Sequence, residues 1–496
     1  MRRTLQGLTL LVPLVLVWGA IPAWAESRPD DPTIKYWVSE ALRQDPRVES
    51  SHINVASSDG VVTLTGQVRN LAAKGYADNE TKKITGVLGV INELEVKPVY
   101  RYDADIASDV RWRLMDSPSM KLHQLDVEVY DGIVTLRGEV ASWPETQEAQ
   151  LLASEVQGVR EVHNELTIQY AAQRPDDAIR QDVLASINRD VYLVGLPINV
   201  AVKDGVVTLS GSVGNRYEWD RAINAAWVGS VKSVKNDLKV EWWENRGVRR
   251  KYPLPSDAEL KQAVKEELYK DLRVEDPFEI EVDCSYGHVT LHGSVPTYYQ
   301  KELAARDTKN IVGVGWVTDE LMVKANWRDD AAIRRDVEAR FDSDYLINGQ
   351  DIQVRVKDGV VNLYGNTNTY NEASHAVDVA SRIPGVVNVV DNVHVNWFFR
   401  YTDAKLQQRI KDRLYEHDET RAAADSIKVS VTDGIVTLTG DVPLWSERKE
   451  AGEVAFLTEG VRGVDNRLTV EGVSYPWDEW HYPPLAIGQQ ESSYEP

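Results

Sequence analysis

The sequence predicts an α+β fold repeated six times, a tandem array of small domains that each run helix-strand-strand-helix-strand, with two helices on a three-stranded sheet. Three observations predict it. Turn glycines recur at Gly60, Gly132, Gly205, Gly287, Gly359 and Gly434, spaced 72, 73, 82, 72 and 75 residues apart, and so long a period marks an array of domains. An aspartate opens a helical stripe ahead of each turn, and apolar residues alternate on both sides of it. The expected domains are 31–99, 103–170, 175–242, 256–325, 329–397 and 402–471, after a signal peptide at 1–25 and before a Pro/aromatic tail at 472–496. Units this small bury only ~60% of the surface that their unfolded chains expose, so each is modestly stable alone.

The first element of each unit is a helix. Asp31, Asp103, Asp176, Asp257, Asp330 and Asp403 each stand three residues before an aliphatic stripe such as Ile34-Val38-Leu42 or Ile179-Val183-Ile187. A spacing of four keeps the stripe on one helix face. The aspartates are expected to be N-caps, whose carboxylates accept from free first-turn amides. Two strands follow. Ile198, Val200 and Val202 alternate before Gly205, and Val207 and Leu209 alternate after it, the signature of strands with one buried face. Asp-Gly between them favours a tight hairpin with positive φ. A second glycine sits six residues after the first in every unit (Gly66, Gly138, Gly211, Gly293, Gly365, Gly440), which suggests a bend or a close backbone approach. A second helix follows, such as 145–157, and then a last strand with an Asn-x-Leu core, such as 162–168. The neighbour of that last strand is not legible.

Arg2 and Arg3, an apolar run from Leu8 to Ile21 and Ala23-Trp24-Ala25 read as a secretory signal cleaved after Ala25. Retention of that run as an anchor is the alternative. No later segment is apolar enough to cross a membrane. The net charge of −21 becomes −23 once Arg2 and Arg3 leave with the signal. That field argues against nucleic acid and against broad adhesion to anionic lipid. Cys284 is the only cysteine, so an exported chain of this kind holds its domains by packing without a disulfide.

These blocks resemble the BON domain family, named for bacterial osmotically induced and nodulation proteins. The matching stretches are Asp-Gly-Val-Val-Thr-Leu-Thr-Gly at 59–66, Asp-Gly-Ile-Val-Thr-Leu-Arg-Gly at 131–138 and Asp-Gly-Ile-Val-Thr-Leu-Thr-Gly at 433–440. The resemblance implies an exported bacterial envelope protein without catalysis. It also implies phospholipid or membrane-surface interaction and tolerance of osmotic stress, or a periplasmic chaperone role. The chain departs from many relatives in showing neither a lipid anchor nor a second domain type, and in carrying six copies. Its fourth copy reads Tyr286-Gly287-His288 where the others have Asp-Gly-Val or similar.

No phosphate loop, His-Glu-x-x-His, paired metal-ligand cysteines or nucleophile elbow occurs, so no enzyme activity, cofactor or metal is expected. Cys284, His288 and His292 are the sharpest metal candidates. Cys284 fills an inward slot held elsewhere by valine, however, and the histidines stand four apart on a strand, too far to share one ion. The contact candidate is the junction of units three and four, where Trp242, Trp243, Arg246, Arg249, Arg250, Lys251 and Tyr252 join aromatics to a basic cluster. That mixture suits a lipid headgroup boundary or a partner surface, although linker tryptophans packed between domains would look the same. A second such junction is Trp397-Phe398-Phe399-Arg400-Tyr401. Trp143, Tyr298, Tyr370 and Trp445 open second helices; they are expected as local staples, or else as a row of exposed contacts acting by avidity. The resulting expectation is a periplasmic, non-enzymatic protein that binds phospholipid surfaces and supports the envelope under stress, with a holdase-type chaperone or assembly scaffold as the alternative. Oligomeric state stays open.

Overall fold

The computed structural model describes residues 28–117, 120, 125–170, 173–241, 255–271, 273–274, 277–347, 351–395 and 401–470. Six three-stranded sheets are present among them. In the first domain a helix (Asp31–Gln44) precedes a hairpin of Ile53–Ser58 and Val61–Val68, a second helix (Leu71–Lys82) and a last strand (Gly89–Val96). The hairpin strands are antiparallel; the last strand lies parallel to the second, so the second helix is a crossover. The other five domains repeat this order. Their first helices are Asp103–Asp116, Asp176–Arg189, Asp257–Lys270, Asp330–Asp342 and Asp403–Glu416. Their second helices are Trp143–Ser154, Arg216–Ala226, Tyr298–Lys309, Tyr370–Ser381 and Trp445–Phe456.

The opening aspartates are not N-caps. The cap positions belong to the residues before them, Asp30, Tyr102, Pro175, Ser256, Asp329 and Thr402. Each opening carboxylate instead crosses to the hairpin tip and accepts from two successive backbone amides. Asp59 N and Gly60 N donate to Asp31 at 2.8 and 2.9 Å, and Asp204 N and Gly205 N donate to Asp176 at the same distances. Equivalent pairs hold the tips at Asp103, Asp257, Asp330 and Asp403. The left-handed turn (φ 52° at Asp59, 79° at Gly60) aims both amides outward from the tip, and a carboxylate has the lone pairs to take both. Tyr286 adopts the same conformation, φ 51°, without an Asx side chain to favour it.

The second glycine is required by a close approach. At Gly66 a Cβ would lie 2.0 Å from the His52 carbonyl oxygen. The Asn-x-Leu core has a purpose as well. Asn92 Oδ1 accepts from Leu94 N at 3.2 Å while its Nδ2 donates to Lys74 O in the second helix at 3.0 Å. Asn164, Asn236 and Asn466 repeat both bonds. The asparagine therefore satisfies an amide of the sheet's outermost strand, one of the devices that blunt an exposed edge.

Each domain keeps its own apolar core, for example Ile34, Val38, Leu42, Val62, Leu64 and Leu94 in the first. The domains are not beads on a string, however, and the sixth domain's core takes in Val191, Tyr192 and Val312 from the third and fourth. The chain folds back so that the first domain pairs with the sixth, the second with the fifth and the third with the fourth. Isolated β-bridges mark the three seams at Ile84/His417, Val156/Asp344 and Asp190/Ile311. In each, the end of one domain's second helix meets the end of the other's first helix. Backbone bonds include Thr85 N to Glu416 O (3.0 Å), Tyr345 N to Glu155 O (3.1 Å) and Val312 N to Arg189 O (2.9 Å). Further contacts close the first three domains into a ring. Leu71 packs on the second domain's core, Trp143 meets Trp227, and Asp220 pairs with Lys82 at 2.6 Å.

Candidate interaction surfaces and buried interdomain seams

Trp242, Trp243, Arg246, Arg249, Arg250, Lys251 and Tyr252 lie outside the described residues, as do the signal segment and the tail from 471 onward. Two neighbouring linkers are described. Between the first and second domains Tyr100 and Tyr102 are 80% and 69% exposed, their rings edge-to-face at 5.7 Å. Between the fourth and fifth domains Trp327 is 87% exposed. Arginines flank both sets: Arg101 pairs with Asp109 at 2.7 Å and Arg328 with Asp336 at 2.5 Å. Tyr401, from the other aromatic junction, turns inward instead. Its hydroxyl donates to Glu459 at 3.0 Å, and Arg409 covers its ring.

Of the aromatic residues that open second helices, Trp143, Tyr298 and Trp445 form neither local staples alone nor an exposed row, and the Tyr370 side chain lies outside the described residues. Trp143 stacks on Trp227 of the third domain, centroids 4.5 Å apart and planes 7° off parallel. Tyr298 packs on the fifth domain's core. Trp445 is buried in a cluster that includes Val191 and Tyr192 of the third domain and Val312 of the fourth. Their partners come from other domains, so no pattern inside one repeat could identify them.

Cys284 is half-buried, its Sγ 3.5 Å from Asp257 Oδ1. Burial and that carboxylate push the thiol up to about 12, which leaves it a protonated filler. His288 Nε2 lies 2.8 Å from Thr318 Oγ1, and His292 lies between Asp283 (3.7 Å) and Glu320 (3.0 Å). Among the described residues no group of three or more His, Cys, Asp or Glu side chains is arranged to hold a metal ion.

Sequence reasoning missed the seams, because charged residues on the second helices read as solvated faces. At the seam of the first and sixth domains Arg413 donates to Glu80 and to Leu457 O, and both charged side chains are at most 2% exposed. His417 sits between Glu80 (3.2 Å) and Glu450 (3.1 Å), and Lys83 reaches Glu450 at 3.2 Å and Glu453 at 3.0 Å. Tyr192 of the third domain donates to the same Glu450 at 2.9 Å. At the seam of the second and fifth domains Arg113 meets Asp344 (3.2 Å) and Glu155 (3.4 Å), while Arg382 donates to Glu148 at 2.7 Å. Tyr299 of the fourth domain also donates to Glu148, at 2.9 Å. At the third seam Arg189 meets Glu266 at 2.5 Å and Glu267 at 3.6 Å.

One position organises these networks. The residue fourteen places after each opening aspartate is Asp45, Ser117, Asp190, Asp271, Asp344 and His417 in turn. It stands at or just past the end of the first helix, and in the third, fifth and sixth domains it faces that domain's own second helix. Asp190 accepts from Arg221 at 2.7 Å, Asp344 lies 3.1 Å from His375, and His417 lies 3.1 Å from Glu450. In the first and fourth domains the aspartate is taken by an arginine two residues on, Arg47 or Arg273. Burial favours neutral groups, but the partners outweigh it. Against burial, His417 and Arg413 hold Glu80 well below the carboxylate range, and Asp344, Glu155 and Asp378 raise the His375 imidazolium to about 9. Glu416 shows the opposite balance: burial lifts it to about 7 against the pull of His417 and Arg413.

Six domains of one fold, each with a clasped hairpin tip, describe a tandem array of small α+β units. The protein-family comparison agrees: the BON domain model matches residues 30–98, 102–170, 175–241, 256–325, 329–396 and 402–472. The chain belongs to the BON domain family. It is 31% identical over 189 residues to Osmotically-inducible protein Y of Escherichia coli (strain K12), a match that covers 36% of this chain and 93% of that one. It is 29% identical over 171 residues to the Outer membrane lipoprotein DolP of Haemophilus influenzae, over 32% of this chain and 86% of that one. Among solved structures, the C-terminal domain of CdsD, a structural protein of the Type III secretion system of Chlamydia trachomatis, aligns at 12% identity over 45% of this chain and 99% of that one. The TM-score of that alignment is 0.12. No helix among the described residues is long and apolar enough to cross a membrane.

Proposed function

We propose that this chain is an exported, non-catalytic envelope protein of the periplasm. It meets phospholipid surfaces through aromatic and basic linker residues, foremost Trp242, Trp243, Arg246, Arg249, Arg250, Lys251 and Tyr252, and supports the envelope under osmotic stress. The observation that carries the reading is the exposure of Tyr100, Tyr102 and Trp327 in the described linkers. Rings with one apolar face and a polar edge suit a headgroup boundary, and the basic cluster of Arg246, Arg249, Arg250 and Lys251 supplies local attraction that a chain of net charge −21 lacks overall. An osmotically inducible relative and an outer-membrane lipoprotein relative support the setting. The test is co-sedimentation of the full mature chain with phosphatidylethanolamine/phosphatidylglycerol vesicles at low salt. Binding is expected, and it should weaken when Trp242, Trp243, Arg249 and Arg250 are changed to Ala. Failure of the unsubstituted chain to sediment would remove the lipid reading.

A second reading, a holdase for unfolded envelope proteins, is favoured by the fourth domain, whose Phe278, Tyr286 and Met322 are all well exposed. Suppression of client aggregation without vesicle binding would select it.

A further inference from the structure

We propose that the fourth domain is latched into the assembly by a proton held between the carboxyl groups of Asp271 and Asp307, and that loss of this proton frees its grip on the second domain. Asp271 closes the fourth domain's first helix, and Asp307 is the tenth residue of its second helix. Their carboxyl groups are in hydrogen-bond contact. Arg273 donates to Asp271 at 2.5 and 2.8 Å, but among the described residues no donor reaches the buried Oδ2 of Asp307. Two buried carboxyl groups in contact cannot both be ionised without strong repulsion. The proton that one of them keeps turns an acceptor into a donor and joins the two.

The first domain shows what the same place does when a cation is supplied. Its tenth second-helix residue is Glu80, and Asp45 with Arg47 repeats Asp271 with Arg273. Across the seam Arg413 and His417 of the sixth domain meet Glu80, which stays ionised despite its burial. The third domain stands in that relation to the fourth, because the Asp190/Ile311 bridge matches His417/Ile84. The positions of Arg413 and His417 are there Ser186 and Asp190, so they offer Asp307 no cation. Arg189 of the same seam is taken by Glu266 and Glu267, and Glu267 also faces Asp271. The cations that do act on Asp307 are Arg273 and Arg306. Beyond Arg306 stands Asp378 of the fifth domain, and Lys449 of the sixth reaches only Asn310. Burial and the Asp271 charge outweigh both arginines and hold the Asp307 carboxyl well above the carboxylate range. Against burial, Arg273 holds Asp271 below it.

Arg273 couples the pair to the second domain, where it reaches Glu148 at 3.5 Å. Once both aspartates are charged they draw Arg273 toward themselves, and Glu148 loses it. The latched state binds the proton more tightly than the released one. The latch is therefore complete below the ordinary carboxylate range and is lost as pH rises through the raised titration of the pair. The experiment follows hydrogen exchange in the full chain, corrected for intrinsic rates. Between about pH 6 and about pH 8.5, protection of residues 298–312 and of 143–154 should fall together by roughly tenfold. In Asp307→Asn, where an amide donates to Asp271 at every pH, protection should stay level. A level profile in the unsubstituted chain would overturn the proposal, and so would the same fall in both chains. Asp307→Val, the residue type at Val379 and Val454 in the fifth and sixth domains, also removes the titrating group and should flatten the profile; it serves if the asparagine variant does not fold, as judged by circular dichroism.

Discussion

The hairpin tips and the interdomain seams treat charge in opposite ways. At the tips one solution is used six times: a carboxylate on the first helix accepts from two backbone amides of the turn. At the seams the same helix, towards its other end, sends Arg413 to Glu80, Arg113 to Asp344 and Arg189 to Glu266, each across to a different partner domain. The tip contact is made within a domain and serves the fold, so every copy can share it. The seam contact is made between particular copies. Buried charges left without their partners are costly, so a set of unlike pairs disfavours the wrong domain docking at a given seam. Identity is tolerated where domains fold and avoided where they choose one another.

The comparison can be broken most forcefully at Arg413. Arg413→Ala leaves Glu80 buried beside a cavity and should cost about 3–5 kcal/mol, seen in urea unfolding, with lost hydrogen-exchange protection concentrated in the first and sixth domains. Loss spread evenly over all six would show that the seams do not act locally. A pH series addresses the seam of the second and fifth domains. The His375 contribution is complete below about 6.5 and fades as pH rises through about 9, because the folded state holds the proton more tightly. His375→Gln should flatten that decline and also weaken the acid limb, because His375 is the main group that holds Asp344 below the carboxylate range. A smaller effect is expected at a tip. Asp176→Asn removes one acceptor and the charge, at about 1–2 kcal/mol, confined to the third domain and with no change at any seam. Smallest is Arg137→Ala. Arg137 bridges Glu128 and Glu165 on an open sheet face, where exposed pairs contribute little, and thermal unfolding should not shift measurably.

What was legible follows the same division. The six units, the helical stripes at Ile34-Val38-Leu42 and its counterparts, the hairpins and both glycines all lie within a span of one repeat, and local periodicity exposes them. The opening aspartates were visible as a fixed column, but their partner was not. Cap and tip clasp demand the same residue type, and only the fold brings the tip 28 residues onward back to Asp31. The seams were hidden because Glu80 and Arg413 are 333 positions apart, and each alone looks like a solvated helix residue. The available signal was the column Asp45, Ser117, Asp190, Asp271, Asp344, His417, in which a histidine replaces acids at one position among six. Trp143 was expected as a local staple, and its partner Trp227 in a different copy was beyond any pattern within one repeat.

The order of pairing has its own consequence. First with sixth, second with fifth and third with fourth is the order of a ribbon creased at its middle. Such a chain closes from the crease outward, because the loop to be spanned is shortest for the central pair and grows with each further one. The outermost clasp therefore waits for the last domain to be made, and until then Glu80 stands without its arginine. Severing the backbone between residues 242 and 254 should still leave two halves gripping each other along three seams, since every one of those seams joins the first half of the molecule to the second.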